Sequence, residues 1–66
     1  MFHSHLITAV HFYDRGIAAR GLLHVDRALQ VADEQQHEHH AAALVDVKGA
    51  RPADAAAALR AVLADA

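Results

Sequence analysis

Lys48-Gly49-Ala50-Arg51-Pro52-Ala53-Asp54 is the sharpest interruption in this 66-residue chain. A glycine just past a helix end supplies the left-handed residue of a C-cap. A proline three residues later is pre-set for the first position of the next helix. Asp54 then lies where the helix dipole favours an anion. Beyond it, Ala55, Leu59, Val62 and Ala66 recur at spacings of four, three and four, which is one apolar stripe. The stretch therefore predicts a turn near Gly49 and Pro52 and a short last helix from about residue 52 to 65.

Upstream of that turn the helical period continues. Leu6, Val10, Tyr13 and Ile17 repeat at four, three and four, with Ser4 placed to cap, and Leu22, Val25, Leu29 and Ala32 repeat at three, four and three. At 100° per residue the second series lies roughly 100–140° around from the first. Either one helix carries a wide apolar face or the chain bends at Gly16 or Gly21. The reading is all-α: a helical hairpin with a long first helix over about 4–47, bent near one of those glycines, assembling into a helical bundle. A full break there, giving a three-helix bundle, is the alternative. Ala43-Leu44-Val45-Asp46-Val47 has the β-branched residues of a strand but no partner strand, so it is read as helix.

Composition narrows the function. Alanine fills 17 of the 66 positions, which favours helix but offers little apolar area per side chain at roughly 25 cal/mol per Å2. A single domain of this size is expected to need cover for its apolar stripes. The residues expected to anchor a second copy or a larger protein are Leu6, Val10, Tyr13, Ile17, Leu22, Val25 and Leu29, with Leu59, Val62 and Leu63 from the last helix. The absence of cysteine excludes a disulfide scaffold and thiolate metal sites. A net charge of -2 and 5% aromatics speak against nucleic acid as a partner, leaving a small nucleic-acid-linked regulator as a minor alternative. No apolar run has the length of a membrane span. The start, Met1-Phe2-His3-Ser4-His5, lacks the pattern of an export signal, so a cytoplasmic protein is expected.

Catalytic constellations are absent from the pattern. Ser4 and Thr8 are the sole hydroxyl nucleophiles of their types, and Gly16 and Gly21 do not form a phosphate-binding loop. The chain is expected to be non-enzymatic.

Seven histidines stand out: His3, His5, His11, His24, His37, His39 and His40. Imidazole is the commonest metal ligand in proteins and suits zinc, copper, nickel and iron. The polar run Asp33-Glu34-Gln35-Gln36-His37-Glu38-His39-His40 concentrates three of them. On a helix, Asp33 and Glu34 would meet His37, and Gln36 and His37 would meet His40. Glu34 and His37 also have the Glu-x-x-His spacing of di-iron bundles, although a continuous helix would point them away from the apolar stripe. The candidate metal ligands are Glu34, His37, His39 and His40, for zinc, nickel or copper. The bland reading is a solvated face or loop. A third is acid sensing, since full protonation would add seven positive charges. His11 and His24 fall near the apolar arc, where interface hydrogen bonding is the ordinary role.

Overall fold

In the computed structural model, which describes residues 1–32, 34 and 37–65, four α-helices follow one another: α1 (Phe2–Asp14), α2 (Ala18–Ala32), α3 (Ala41–Lys48) and α4 (Pro52–Asp65). A short 3₁₀ turn at Glu38–His40 leads into α3. The all-α class and the bundle-like packing of helix on helix follow the expectation. The long first helix does not form, because it is divided twice.

The first division is at Gly16. The N–H of Gly16 donates to the Tyr13 carbonyl at 3.0 Å, and the N–H of Ile17 donates to the Phe12 carbonyl at 2.9 Å. Gly16 has φ 74°. This is a Schellman end, and its left-handed residue is tolerated because glycine has no Cβ. The second division follows Ala32, whose carbonyl accepts the His37 N–H at 2.7 Å. The run read as a solvated helix or loop thus contains a break. Asp33, Gln35, Gln36 and Ala66 lie outside the described residues.

Two expected caps differ. Ser4 sits inside α1, where its hydroxyl donates to the Met1 carbonyl at 2.9 Å, and Met1 holds the N-cap position. Gly49 ends α3 at φ -98° rather than in the left-handed region. Its N–H bonds the Asp46 carbonyl, and the Ala50 N–H bonds the Val47 carbonyl. These short-range bonds tighten the last turn without a left-handed residue. Pro52 opens α4 and Asp54 lies in its first turn, as expected.

The buried faces keep the helical period but shift its register. In α1 they are Phe2, Leu6, Ala9 and Tyr13, and in α2 Gly21, Val25, Ala28 and Ala32. Leu44 and Val47 of α3 and Ala55, Ala56, Leu59 and Val62 of α4 complete one core. Small residues face inward at the contacts, so backbones approach closely. Gly21 shows this most clearly: a Cβ built there would stand 2.8 Å from Cδ2 and Cε2 of the Tyr13 ring. Alanine contributes here as a spacer that lets Phe2, Leu6, Tyr13, Val25, Leu44 and Leu59 interlock.

The packing places the residues expected at a partner interface as follows. Leu6, Tyr13, Val25, Leu59 and Val62 are buried in the chain's own core, and Val10, Leu29 and Leu63 pack against it. Leu22 is half-buried and Ile17 is exposed beyond the Schellman turn. The accessible surface is 3956 Å2, close to the about 4,100 Å2 usual for a folded monomer of this mass. The radius of gyration is 10.2 Å, against about 11 Å for a compact domain of this length. The chain therefore covers most of these side chains itself. Lys48 pairs with Asp26 at 2.8 Å, tying α3 to α2, and Arg60 pairs with Asp14, tying α4 to α1. Among the described residues, no helix is long and apolar enough to cross a membrane.

Candidate functional site

Three segments distant in sequence meet at one end of the bundle: the start of α1, the 3₁₀ turn before α3, and the last turn of α4. The 3₁₀ turn presents His40 inward while His39 stays in solvent. Phe2, at 1% exposure, forms the floor. The His37 ring stacks on it at 4.2 Å between centroids and 8° between planes. His40 stacks more distantly, at 5.9 Å and 22°. His3 meets the His37 ring edge-on at 5.6 Å.

His40 is the polar residue buried in this group, with 7% of its side chain exposed. Its Nε2 lies 3.0 Å from Oδ2 of Asp65. A carboxylate only accepts, so Nε2 carries the hydrogen and donates. Its Nδ1 is buried and has no hydrogen-bond partner among the described residues, as is the case for Nδ1 of His37. The His39 ring lies 3.9 Å from the His40 ring between centroids. One ligand atom each from His39, His40 and Asp65 lies within 4.8 Å of the other two.

The electrostatics resist protonation around His37. Burial holds its pKa below the ordinary imidazole value, followed by the neighbouring rings of His3, His40 and His39, with Glu38 opposing. Neutral imidazoles with free lone pairs are the state in which histidine binds metals.

The convergence differs from the helical spacing read from the sequence. His39 and His40 belong to the group. His37 stands beside it, stacked on Phe2, and Glu34 is exposed on the turn after α2 and does not join it. Glu34 and His37 lose their helical relation because α2 ends at Ala32. Asp33 and Gln36, also considered there, fall outside the described residues. Asp65 takes the carboxylate position, and no local signal marks it, since it lies 25 positions from His40.

Comparison with known protein families, with curated proteins and with solved structures found no match. The functional reading therefore rests on this geometry alone.

Proposed function

We propose that this chain is a small, non-enzymatic helical protein that binds a divalent transition-metal ion, zinc, nickel or copper, through His39, His40 and Asp65. The observation that carries the reading is the convergence of these three ligand atoms within 4.8 Å. Two imidazoles and one carboxylate are a donor set for borderline divalent ions. A tetrahedral zinc with bonds of about 2.0–2.1 Å places its ligands about 3.3–3.4 Å apart. His40 Nε2 and Asp65 Oδ2 are already at 3.0 Å; the ion takes the place of the Nε2 hydrogen, which moves to Nδ1 of the neutral ring, and a rotation of the exposed His39 ring brings in the third donor. Three protein ligands leave a fourth position for water or an outside ligand. The stacked rings of Phe2 and His37 hold the buried His40 imidazole in place.

Calorimetric titration of the full chain with zinc and nickel chloride tests this. The wild type is expected to bind, and His39→Ala or Asp65→Asn should weaken this event at least about tenfold, the usual scale for damage to a metal site. Glu34→Gln should leave it unchanged, which separates this ligand set from one based on helical spacing. Equal affinity in wild type, His39→Ala and Asp65→Asn overturns the proposal.

A second reading, self-association or docking on a larger protein, draws on Ile17 from the expected set and on three side chains outside it. Ile7, Leu23 and Val45 leave 59%, 48% and 56% of their area in water, and Ile17 leaves 42%. Sedimentation at several concentrations tests it. A single monomeric species throughout removes self-association.

A further inference from the structure

We propose that His5 and His24 form a second metal site, on the seam between α1 and α2, which takes zinc through the Nδ1 atoms of both rings. This site shares no residue with the first and stands or falls independently of it.

The two Nδ1 atoms lie 3.2 Å apart. Two neutral imidazoles at that distance share one hydrogen, so one nitrogen donates and the other offers a lone pair. The spacing also has a metal reading. With bonds of about 2.0–2.1 Å, the edge of a tetrahedral zinc site is about 3.3–3.4 Å. An adjacent pair around a square-planar ion with similar bonds would be about 2.8–3.0 Å apart. The observed separation thus fits a tetrahedral ion in place of the shared hydrogen, with almost no movement of either helix.

The rings are held from outside. Phe12 stacks on His24 at 5.9 Å and 14°, and the Arg20 guanidinium sits 6.0 Å from the centre of the Phe12 ring. The two imidazoles themselves are 5.4 Å apart at 33°. Both residues are half-buried, so the site is reachable from solvent. Zinc entry at Nδ1 of both rings moves the shared hydrogen to Nε2 of the ring that carried it. No proton is lost from the neutral pair, and water fills the two remaining positions.

The surroundings rank this site below the first. His5 faces Arg27 and the N-terminal ammonium as well as His24, and neither of its two donors is a carboxylate. Both features disfavour a dication relative to the site that includes Asp65.

The test is zinc titration of the full chain, followed by calorimetry and by NMR of the histidine ring nitrogens. The wild type should bind two equivalents. His24→Gln should keep the tighter one and weaken the other at least about tenfold. The double variant His39→Ala, Asp65→Asn should keep the weaker one. In the wild type, the Nδ1 signals of His5 and His24 should shift together as the second equivalent is added, with both rings carrying hydrogen on Nε2. This last readout needs no substitution, so it decides the matter even where a variant fails to fold. Unmoved Nδ1 signals at saturating zinc, or two undiminished equivalents in His24→Gln, overturn the second site. If His39→Ala, Asp65→Asn retains both equivalents, the first site fails while this one stands.

Discussion

Two histidine pairs beside the first turns of α1 are built on opposite electrostatic plans. Near its start, in the Phe2 cluster, a buried imidazole faces a carboxylate, His40 against Asp65 at 3.0 Å. One turn further on, at the α1–α2 seam, an imidazole faces another imidazole, His5 against His24 at 3.2 Å. The first pair has a permanent anion and becomes an ion pair when its ring is protonated. The second has none, and protonating both rings places like charges in contact. Burial and His24, with Arg27 and the N-terminus behind, hold the His5 pKa below its ordinary value. Geometry near a metal-binding separation is thus present twice, and under the two proposals above the neighbouring charge ranks the pair with Asp65 first for a dication.

The largest predicted effect breaks the first region alone. Phe2 is nearly inaccessible and floors the His37 and His40 rings. Phe2→Ala should cost about 3–5 kcal/mol, as for other buried aromatics, read as a fall in the urea midpoint. Ring signals of His37 and His40 should move while those of His5 and His24 hold. Equal disturbance of both pairs would show that the two regions are one unit.

Gly21→Ala addresses the seam. The added Cβ meets the buried Tyr13 ring at 2.8 Å, and overpacking of this kind costs about 1–3 kcal/mol. Replacing a helical glycine returns up to about 1 kcal/mol, so a net loss of about 1 kcal/mol is expected in thermal or urea melts. A stabilised variant would mean that Tyr13 yields and the seam is loosely packed.

Alkaline pH should also distinguish the regions. Burial, and then Asp26, raise the Tyr13 pKa above its ordinary 10. A raised folded-state value means that the folded chain holds the phenol proton more tightly than the unfolded one. That contribution is complete below pH 10 and is lost as pH rises through the folded value. Melting followed from pH 8 upward should show stability falling above pH 10, with a smaller fall in Tyr13→Phe. Identical alkaline profiles would remove Tyr13 as the cause.

The smallest stability effect belongs to Asp65→Asn. The carboxylate is 73% exposed, and solvent screening limits such a pair to about 0–1 kcal/mol. The variant should melt close to wild type while losing the tighter metal event. A large drop in stability would make His40–Asp65 a structural clasp instead.

Some of this arrangement was legible in the residues. Pro52 and Asp54 mark the start of α4, and Gly16 was one of two candidate bends, because proline and glycine act through their own backbone preferences. Register was harder to read. The stripe Leu6, Val10, Tyr13 and Ile17 counts large side chains, whereas the buried face of α1 is Phe2, Leu6, Ala9 and Tyr13. In α2 the inward residues include Gly21, Ala28 and Ala32, with Leu22 and Leu29 at the flanks. A reading weighted by side-chain size undervalues small residues that permit close helix contact. Glu34 was assigned by a spacing that holds only on a continuous helix, and that helix ends at Ala32.

The amino-acid order by itself determined the helical class, the turn before α4 and the presence of imidazole in quantity. These follow from local backbone preference and composition, which act within a few residues. Tertiary structure decided which imidazoles meet, which partner each finds and which apolar residues the chain covers for itself. Those outcomes depend on how α1 and α4 lie against each other and on where α2 ends, at Ala32. Ligand convergence is a property of three-dimensional distance, and a separation of 25 positions between His40 and Asp65 leaves no local trace of it.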